Sequence, residues 1–214
     1  FIAETGGQNA MIVDSTALPE QVVRDVIRSA FASAGQRCSA LRVLYVQEDI
    51  AERIISLIKG AMQELQVGKP YLHSTDVGPV IDSLAKSKLD SHIVRMTKSQ
   101  TKVAQLELTG EHQFGDFVAP SAFEIDSIDC LKEEQFGPIL HIVRFKASDL
   151  AQVVDEINAT GFGLTMGIHS RNETTYRWIE KHIRVGNCYI NRDQVGAVVG
   201  VQPFGGQGLS GTGP

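Results

Sequence analysis

The 214-residue sequence predicts an α/β fold with a largely parallel, twisted sheet flanked by helices, and three observations carry that expectation. Apolar runs of strand character alternate with apolar stripes of helical period from one end of the chain to the other. Clusters of Gly, Pro, Ser and Asp separate them. A composition of 43% hydrophobic and 21% charged residues lets a chain of this length bury a sizeable core as one large domain or slightly more.

The elements follow in order. Residues 10–14 read as a strand, and 19–34 as a helix, with Val22, Val23, Val26, Ile27, Ala30, Phe31 and Ala34 on one stripe and Gly35 as the stop. Residues 42–47 are β-rich. Asp49 is placed to cap a helix that aligns Ile50, Ile54, Ile55, Ile58, Met62 and Leu65. After a loop over 68–79, the pattern predicts a helix over 83–97 and strands over 102–108 and 117–125. A strand over 139–145, a helix over 147–158, a strand over 164–169, a helix over 173–182 and a strand over 186–191 complete the rhythm. No internal repeat or low-complexity tract interrupts it.

Composition also removes several function classes. A net charge of −5 with scattered Lys and Arg argues against a nucleic-acid surface. No apolar stretch is long enough to span a membrane, and no secretory signal opens the chain. Three cysteines, Cys38, Cys130 and Cys188, have no paired spacing, so a reducing compartment is expected and the latter two read as structural. The six histidines, at positions 73, 92, 112, 141, 169 and 182, lack metal-ligand spacing, and His169 reads as a satisfied strand residue. Trp178, with Tyr176, Ile179 and Ile183, reads as core or interface. The stretch from Gly206 to Gly211 fits the dinucleotide pattern G-x-G-x-x-G, yet too little chain follows to build the required helix and strand.

The chemistry is concentrated elsewhere. Cys38, in Gly35-Gln36-Arg37-Cys38-Ser39, is flanked by small and polar residues that could present its sulfur to a substrate. A thiol of ordinary pKa, about 8.5, is only a few per cent thiolate near neutrality, and a helix C-terminus does not favour the anion. Activation must come from backbone amides, a neighbouring base or a bound cofactor. A cysteine in such a place is more often a buried small residue. Glu4 precedes two glycines, which leave room for water, substrate or cofactor, and it is a candidate general base; its plainer reading is a turn acid before the first strand. One strand and one helix separate Glu4 from Cys38, so a β-α unit could return both to one edge of a sheet.

Four segments, in this order, make the chain resemble the NAD(P)-dependent aldehyde dehydrogenases: Glu4-Thr5-Gly6-Gly7, Gly35-Gln36-Arg37-Cys38, Glu133-Glu134-Gln135-Phe136-Gly137-Pro138, and Pro203-Phe204-Gly205-Gly206. Within that family it is most similar to the glutamate-semialdehyde (1-pyrroline-5-carboxylate) dehydrogenase branch, which includes the C-terminal part of bifunctional proline-utilisation proteins. Ser39, the segment Gly196 to Gln202, and Phe204 carry this closer likeness. The resemblance implies the family's catalytic-domain fold, NAD as cofactor, and a small aldehyde, L-glutamate γ-semialdehyde, as substrate. It implies Cys38 as nucleophile and Glu4 as hydrolytic base. Glu134 would contact the nicotinamide ribose and Phe136 would pack beside the nicotinamide, with Thr5 and Gly6 also on the cofactor side. Ser39, Gly196 and Ala197 would hold the substrate carboxylate, and Phe204 its aliphatic stem; amides near glycine turn readily toward an anion. No metal is implied.

The same resemblance implies that residues 1–214 are a catalytic domain cut from a longer chain. A nucleotide-binding domain, the asparagine completing the oxyanion hole, and a closing C-terminal segment would lie outside it. The longer protein is expected to be a homo-oligomer, cytoplasmic or in the mitochondrial matrix of a eukaryote. Two other readings remain open at this point. One is an aldehyde dehydrogenase for a different aldehyde, the other a non-catalytic interaction module. An acyl-phosphate reductase would use the thiol without a base, against which Glu4 argues.

Overall fold

The computed structural model describes residues 6–198 and 200–213. Its strands and helices run β1 (Ala10–Val13), α1 (Pro19–Phe31), β2 (Val43–Gln47), α2 (Glu48–Gln63), α3 (Ser83–Ser99), β3 (Thr101–Gln105), β4 (Ser121–Glu124), β5 (Ile139–Phe145), α4 (Leu150–Ala159), β6 (Phe162–Gly163), β7 (Thr165–His169), α5 (Glu173–His182), β8 (Asn187–Ile190) and β9 (Gln207–Gly208). Seven strands form one sheet in the order β3-β4-β5-β2-β1-β7-β8. Every pairing in it is parallel except β3 with β4.

The central strands β1, β2 and β7 are buried along their whole length, which is why they read as continuous apolar runs. Helices α1 and α2 lie on one face, marked by Asp25 against His169 and Glu52 against Arg144. Helices α3 and α4 lie on the other, marked by His92 against His141 and Glu156 beside the Tyr45 hydroxyl. Burial of Val22, Val26, Ala30 and Phe31 on α1, and of Ala51, Ile54, Ile58 and Met62 on α2, follows the stripes read from the sequence.

The differences from expectation are local. Helix α1 ends at Phe31 rather than running to Ala34, because Ser33, Ala34 and Gly35 all take left-handed backbone angles and reverse the chain. Helix α2 begins at Glu48 with no side-chain cap, and Asp49 lies in its first turn, where the dipole favours an acid. The strand expected over 117–125 begins only at Ser121, since Pro120 has no N–H for the ladder. The chain from Gly206 to Gly211 pairs β9 antiparallel to β6, and among the described residues no helix follows it. His169 is buried, but its Nε2 has no hydrogen-bond partner and stands 3.5 Å from Asp25 Oδ2. Among the described residues no helix is long and apolar enough to cross a membrane.

Two buried histidines tie α3 to the sheet. Arg95 Nη2 lies 2.7 Å from His92 Nδ1, His92 Nε2 lies 2.9 Å from His141 Nε2, and His141 Nδ1 lies 3.0 Å from the Arg42 carbonyl. A guanidinium only donates, so the proton positions are forced: His92 carries its proton on Nε2 and His141 on Nδ1, and both rings are neutral. Burial pushes His92 down to about 4 and His141 down to about 3. Below about pH 6.5 the unfolded chain therefore binds protons that the folded chain refuses, and stability falls with pH, by up to about 1.4 kcal/mol per pH unit for each ring. A His92→Gln variant loses one such group. The gap in melting temperature between it and the wild type is expected to narrow as the pH drops from 7 to 4, and a constant gap would show that His92 does not bind protons differentially.

Candidate active site

The functional segments meet at the amino ends of the central parallel strands. Gly6 and Gly7 precede β1, Cys38 to Arg42 precede β2, Glu134 to Gly137 precede β5, and Thr165 opens β7; Ala10, Val43, His141 and Met166 lie in register across the sheet. Open α/β sheets usually bind ligands at the carboxyl ends of their strands. Here the crevice at the carboxyl ends of β1 and β7 is filled by its own side chains, with Ser170 donating to Asp14, Thr16 donating to Asp14, and Asn191 tied to the Ser170 backbone.

Cys38 sits in the turn between α1 and β2, half-buried and unpaired. Asn9 fixes that turn from below. Its Nδ2 donates to the carbonyls of Cys38 (2.6 Å) and Ala40 (2.9 Å), and its Oδ1 accepts the Thr165 N–H at 3.1 Å. Replacing Asn9 by Ala would leave these buried backbone groups unpartnered. At about 1–3 kcal/mol per group, a loss of about 3 kcal/mol or more is expected in urea unfolding. Asn9→Asp should be no better, because it sets an acceptor against two carbonyls.

The sulfur lies in mixed surroundings. Burial pushes the Cys38 thiol up. The Ser39 and Cys38 backbone N–H groups pull it down, the Glu134 carboxylate adds to the rise, and Arg42 opposes it. In this state Cys38 is a thiol near neutral pH, so the amides facing it do not by themselves activate it and a base is required.

Glu134 is not an isolated surface acid. Its Oε1 accepts from Arg42 Nη2 (2.9 Å) and Nε (3.2 Å), and its Oε2 accepts the Gly7 N–H at 2.9 Å. A Cβ on Gly6 would fall 2.9 Å from the same Oε2, so glycine there lets the carboxylate dock on Gly6 and Gly7. Glu4 and Thr5 themselves lie outside the described residues. Phe136 is 40% exposed, with the Arg42 guanidinium carbon 5.1 Å from its ring centroid. Glu134 and Phe136 share the wall of a groove of about 330 Å³ with Ile81, Leu84, Leu89 and Glu133. A carboxylate with spare acceptor capacity beside an accessible ring is a donor set that fits a sugar hydroxyl and a flat heterocycle.

The loop after β8 is drawn to the same turn. Gln194 Nε2 lies 3.4 Å from the Ser39 carbonyl, and Arg37 Nη1 donates to the Val195 carbonyl at 3.2 Å. Gly196 and Ala197 come next, the latter exposed, while Ser39 is buried. Phe204 is half-buried on a segment clamped by Asn187, which donates to the Pro203 carbonyl (2.8 Å) and accepts the Gly205 N–H (3.1 Å). Sequence reasoning missed Asn9, Arg42 and Gln194. A single cation at the head of an otherwise apolar strand was the available signal for Arg42.

Sulfur, carboxylate, ring and glycine loop thus share one edge of the sheet. The chain belongs to the aldehyde dehydrogenase family, whose profile matches residues 1–214. It is 54% identical to the bifunctional protein PutA of Klebsiella aerogenes, over all of this chain and 17% of that protein. It is 35% identical to a 1-pyrroline-5-carboxylate dehydrogenase of Geobacillus sp. (strain WCH70), over 99% of this chain and 41% of that protein. A crystal structure of a proline utilization A (PutA) mutant from Bradyrhizobium japonicum superposes with a TM-score of 0.95 at 55% identity, covering all of this chain and 22% of that one. A 1-pyrroline-5-carboxylate dehydrogenase from Thermus, solved with bound NAD, superposes with a TM-score of 0.90 at 37% identity, covering 99% of this chain and 40% of that one. The chain therefore spans less than half the length of these relatives.

Proposed function

We propose that the polypeptide carrying this chain oxidises L-glutamate γ-semialdehyde to L-glutamate with NAD, in the breakdown of proline. The carrying observation is that the Cys38 turn is tied on one side to the Gly196 loop, through Arg37 and Gln194, and on the other to Glu134, through Arg42. The PutA and 1-pyrroline-5-carboxylate dehydrogenase relatives support the choice of substrate, and the NAD-bound Thermus relative supports the cofactor.

On this reading Cys38 gives its proton to water, and the thiolate forms a carbon–sulfur bond to the aldehyde carbon. The electron pair of the carbonyl moves to oxygen, where the Cys38 N–H is one donor; losing such a donor typically costs about 2.7–4 kcal/mol. NAD, when bound, accepts the hydride from that carbon. Glu134 would hold the ribose hydroxyls and Phe136 would pack beside the nicotinamide, with Thr5 and Gly6 lining the approach. The thioester left on Cys38 is opened by water whose proton goes to Glu4. Ser39, Gly196 and Ala197 would bind the α-carboxylate, and Phe204 would pack on the chain between.

The nucleotide-binding part is proposed to lie in the longer polypeptide, as are the oligomer contacts. Its setting is proposed to be cytoplasmic, in keeping with three free thiols. Residues 1–214 alone are then expected to form little NADH from aldehyde, and robust turnover by the isolated piece would refute that division. Substrate choice is tested in the full polypeptide by comparing kcat/KM for the semialdehyde and for propanal. A preference of about 10²-fold or more for the semialdehyde is expected, and its loss should follow Ser39→Ala; equal turnover of both would assign a different aldehyde.

A further inference from the structure

Arg42 has no part in the chemistry just described, yet it is among the largest fully buried side chains in the molecule. A guanidinium is costly to desolvate and is kept in a core only when its donors are met. These are met in an uncommon way. Nη1 donates to the Gly35 carbonyl at 2.7 Å and lies 3.4 Å from the Gly137 carbonyl; Nη2 donates to the Arg37 carbonyl at 3.1 Å and to Glu134 Oε1 at 2.9 Å; Nε donates to the same oxygen at 3.2 Å. Its carbon lies over Phe136, its own N–H is held by the Asn9 carbonyl, and its carbonyl receives the His141 proton.

One planar group thus grips the two carbonyls that frame the nucleophile turn and, on its other edge, the carboxylate and ring that face the groove. An apolar residue of the same volume would fill the space and do neither. Lysine, a point charge without the planar fork, could not reach all four partners at once.

We propose that Arg42 is the positioning residue that sets Glu134 and Phe136 against the Cys38 turn, so that cofactor affinity and thiol reactivity are adjusted through one guanidinium. This rests on the reading of Glu134 as a cofactor contact. Cofactor affinity falls when the fork is lost, because Glu134 then keeps only the Gly7 N–H. Thiol reactivity responds because Arg42 and Glu134 act on the sulfur in opposite directions, the cation lowering the Cys38 pKa and the carboxylate raising it.

The experiment uses the full polypeptide with Arg42→Lys, Arg42→Met, Glu134→Gln and the Arg42→Met/Glu134→Gln pair. KM for NAD and kcat are measured at saturating semialdehyde, and iodoacetamide alkylation of Cys38 is followed against pH without NAD. Arg42→Lys is expected to raise KM for NAD by about tenfold with kcat within about threefold, as for a lost charge-assisted hydrogen bond. Arg42→Met should move the alkylation profile to higher pH and Glu134→Gln to lower pH, with the pair between them and Arg42→Lys close to wild type. A merely structural arginine would move both profiles the same way. The proposal is overturned if the arginine variants keep the wild-type KM for NAD, if the two alkylation shifts share a sign, or if neither arginine variant folds, which would assign Arg42 to stability alone. Should only Arg42→Met unfold, the KM of Arg42→Lys decides. A wild-type KM for NAD in Glu134→Gln would instead sink the reading of Glu134 as a cofactor contact, whatever Arg42 does.

Discussion

Cys38→Ala in the full polypeptide is expected to abolish aldehyde-dependent NADH formation, whereas Glu4→Gln is expected to leave the first turnover and stall the second. On the proposed mechanism the alanine removes the sulfur that carries the acyl group, while its effect on folding should be small, because Cys38 is half-buried and the backbone of its turn is held by the side chains of Asn9 and Arg42. The glutamine acts on a different step. General-base assistance is typically worth 10²–10⁴-fold, so steady-state turnover should fall by roughly that factor. A burst of about one NADH per site should survive, because water takes the thiol proton and Glu4 enters only when the thioester is opened. Stopped-flow absorbance separates the two outcomes. Unchanged steady-state turnover in Glu4→Gln would remove Glu4 from its assigned role.

Gly35→Ala is expected to be strongly damaging, both to stability and to the nucleophile turn. Gly35 has φ +66°, and a Cβ there would stand 2.1 Å from the Gly137 carbonyl oxygen and 2.9 Å from the Ala30 carbonyl oxygen. Both obstacles are backbone, so neither can rotate away. The left-handed angle alone costs about 1–2 kcal/mol for alanine, and moving the chain off Gly137 raises the total to about 3–4 kcal/mol or more. Against a typical domain stability of about 5–15 kcal/mol this is a large fraction. The shift would also pull the Gly35 carbonyl from Arg42 and disturb the nucleophile turn. Gly110→Ala is the control, since Gly110 has φ +56° with nothing within 4 Å of the added carbon. Urea midpoints should place Gly35→Ala well below Gly110→Ala. Equal losses would show that close approach to Gly137 contributes nothing.

Much of this architecture was legible in the sequence because strand and helix periods are local. The stripe Val22, Val26, Ala30 and the run Val43 to Gln47 each announce a face or a buried strand within one turn or two residues, and the structure places both as read. The boundaries that moved did so for local reasons of backbone geometry, at Ser33 to Gly35 and at Pro120. The site was legible as four motifs. It was not legible as an arrangement, because its ties join residues far apart in the chain: Arg42 to Glu134, Gly7 to Glu134, Arg37 to Val195 and Asn9 to Thr165.

By itself the sequence determined the alternating α/β plan, the family resemblance and the residues proposed to bear the chemistry, since side-chain identity and periodicity are properties of neighbours. Only the tertiary structure decided which edge of the sheet the motifs share, that burial keeps Cys38 protonated, and that Glu134 is held by a buried arginine. Desolvation and ion pairing depend on what the whole fold brings within a few ångströms, and no local pattern encodes that distance.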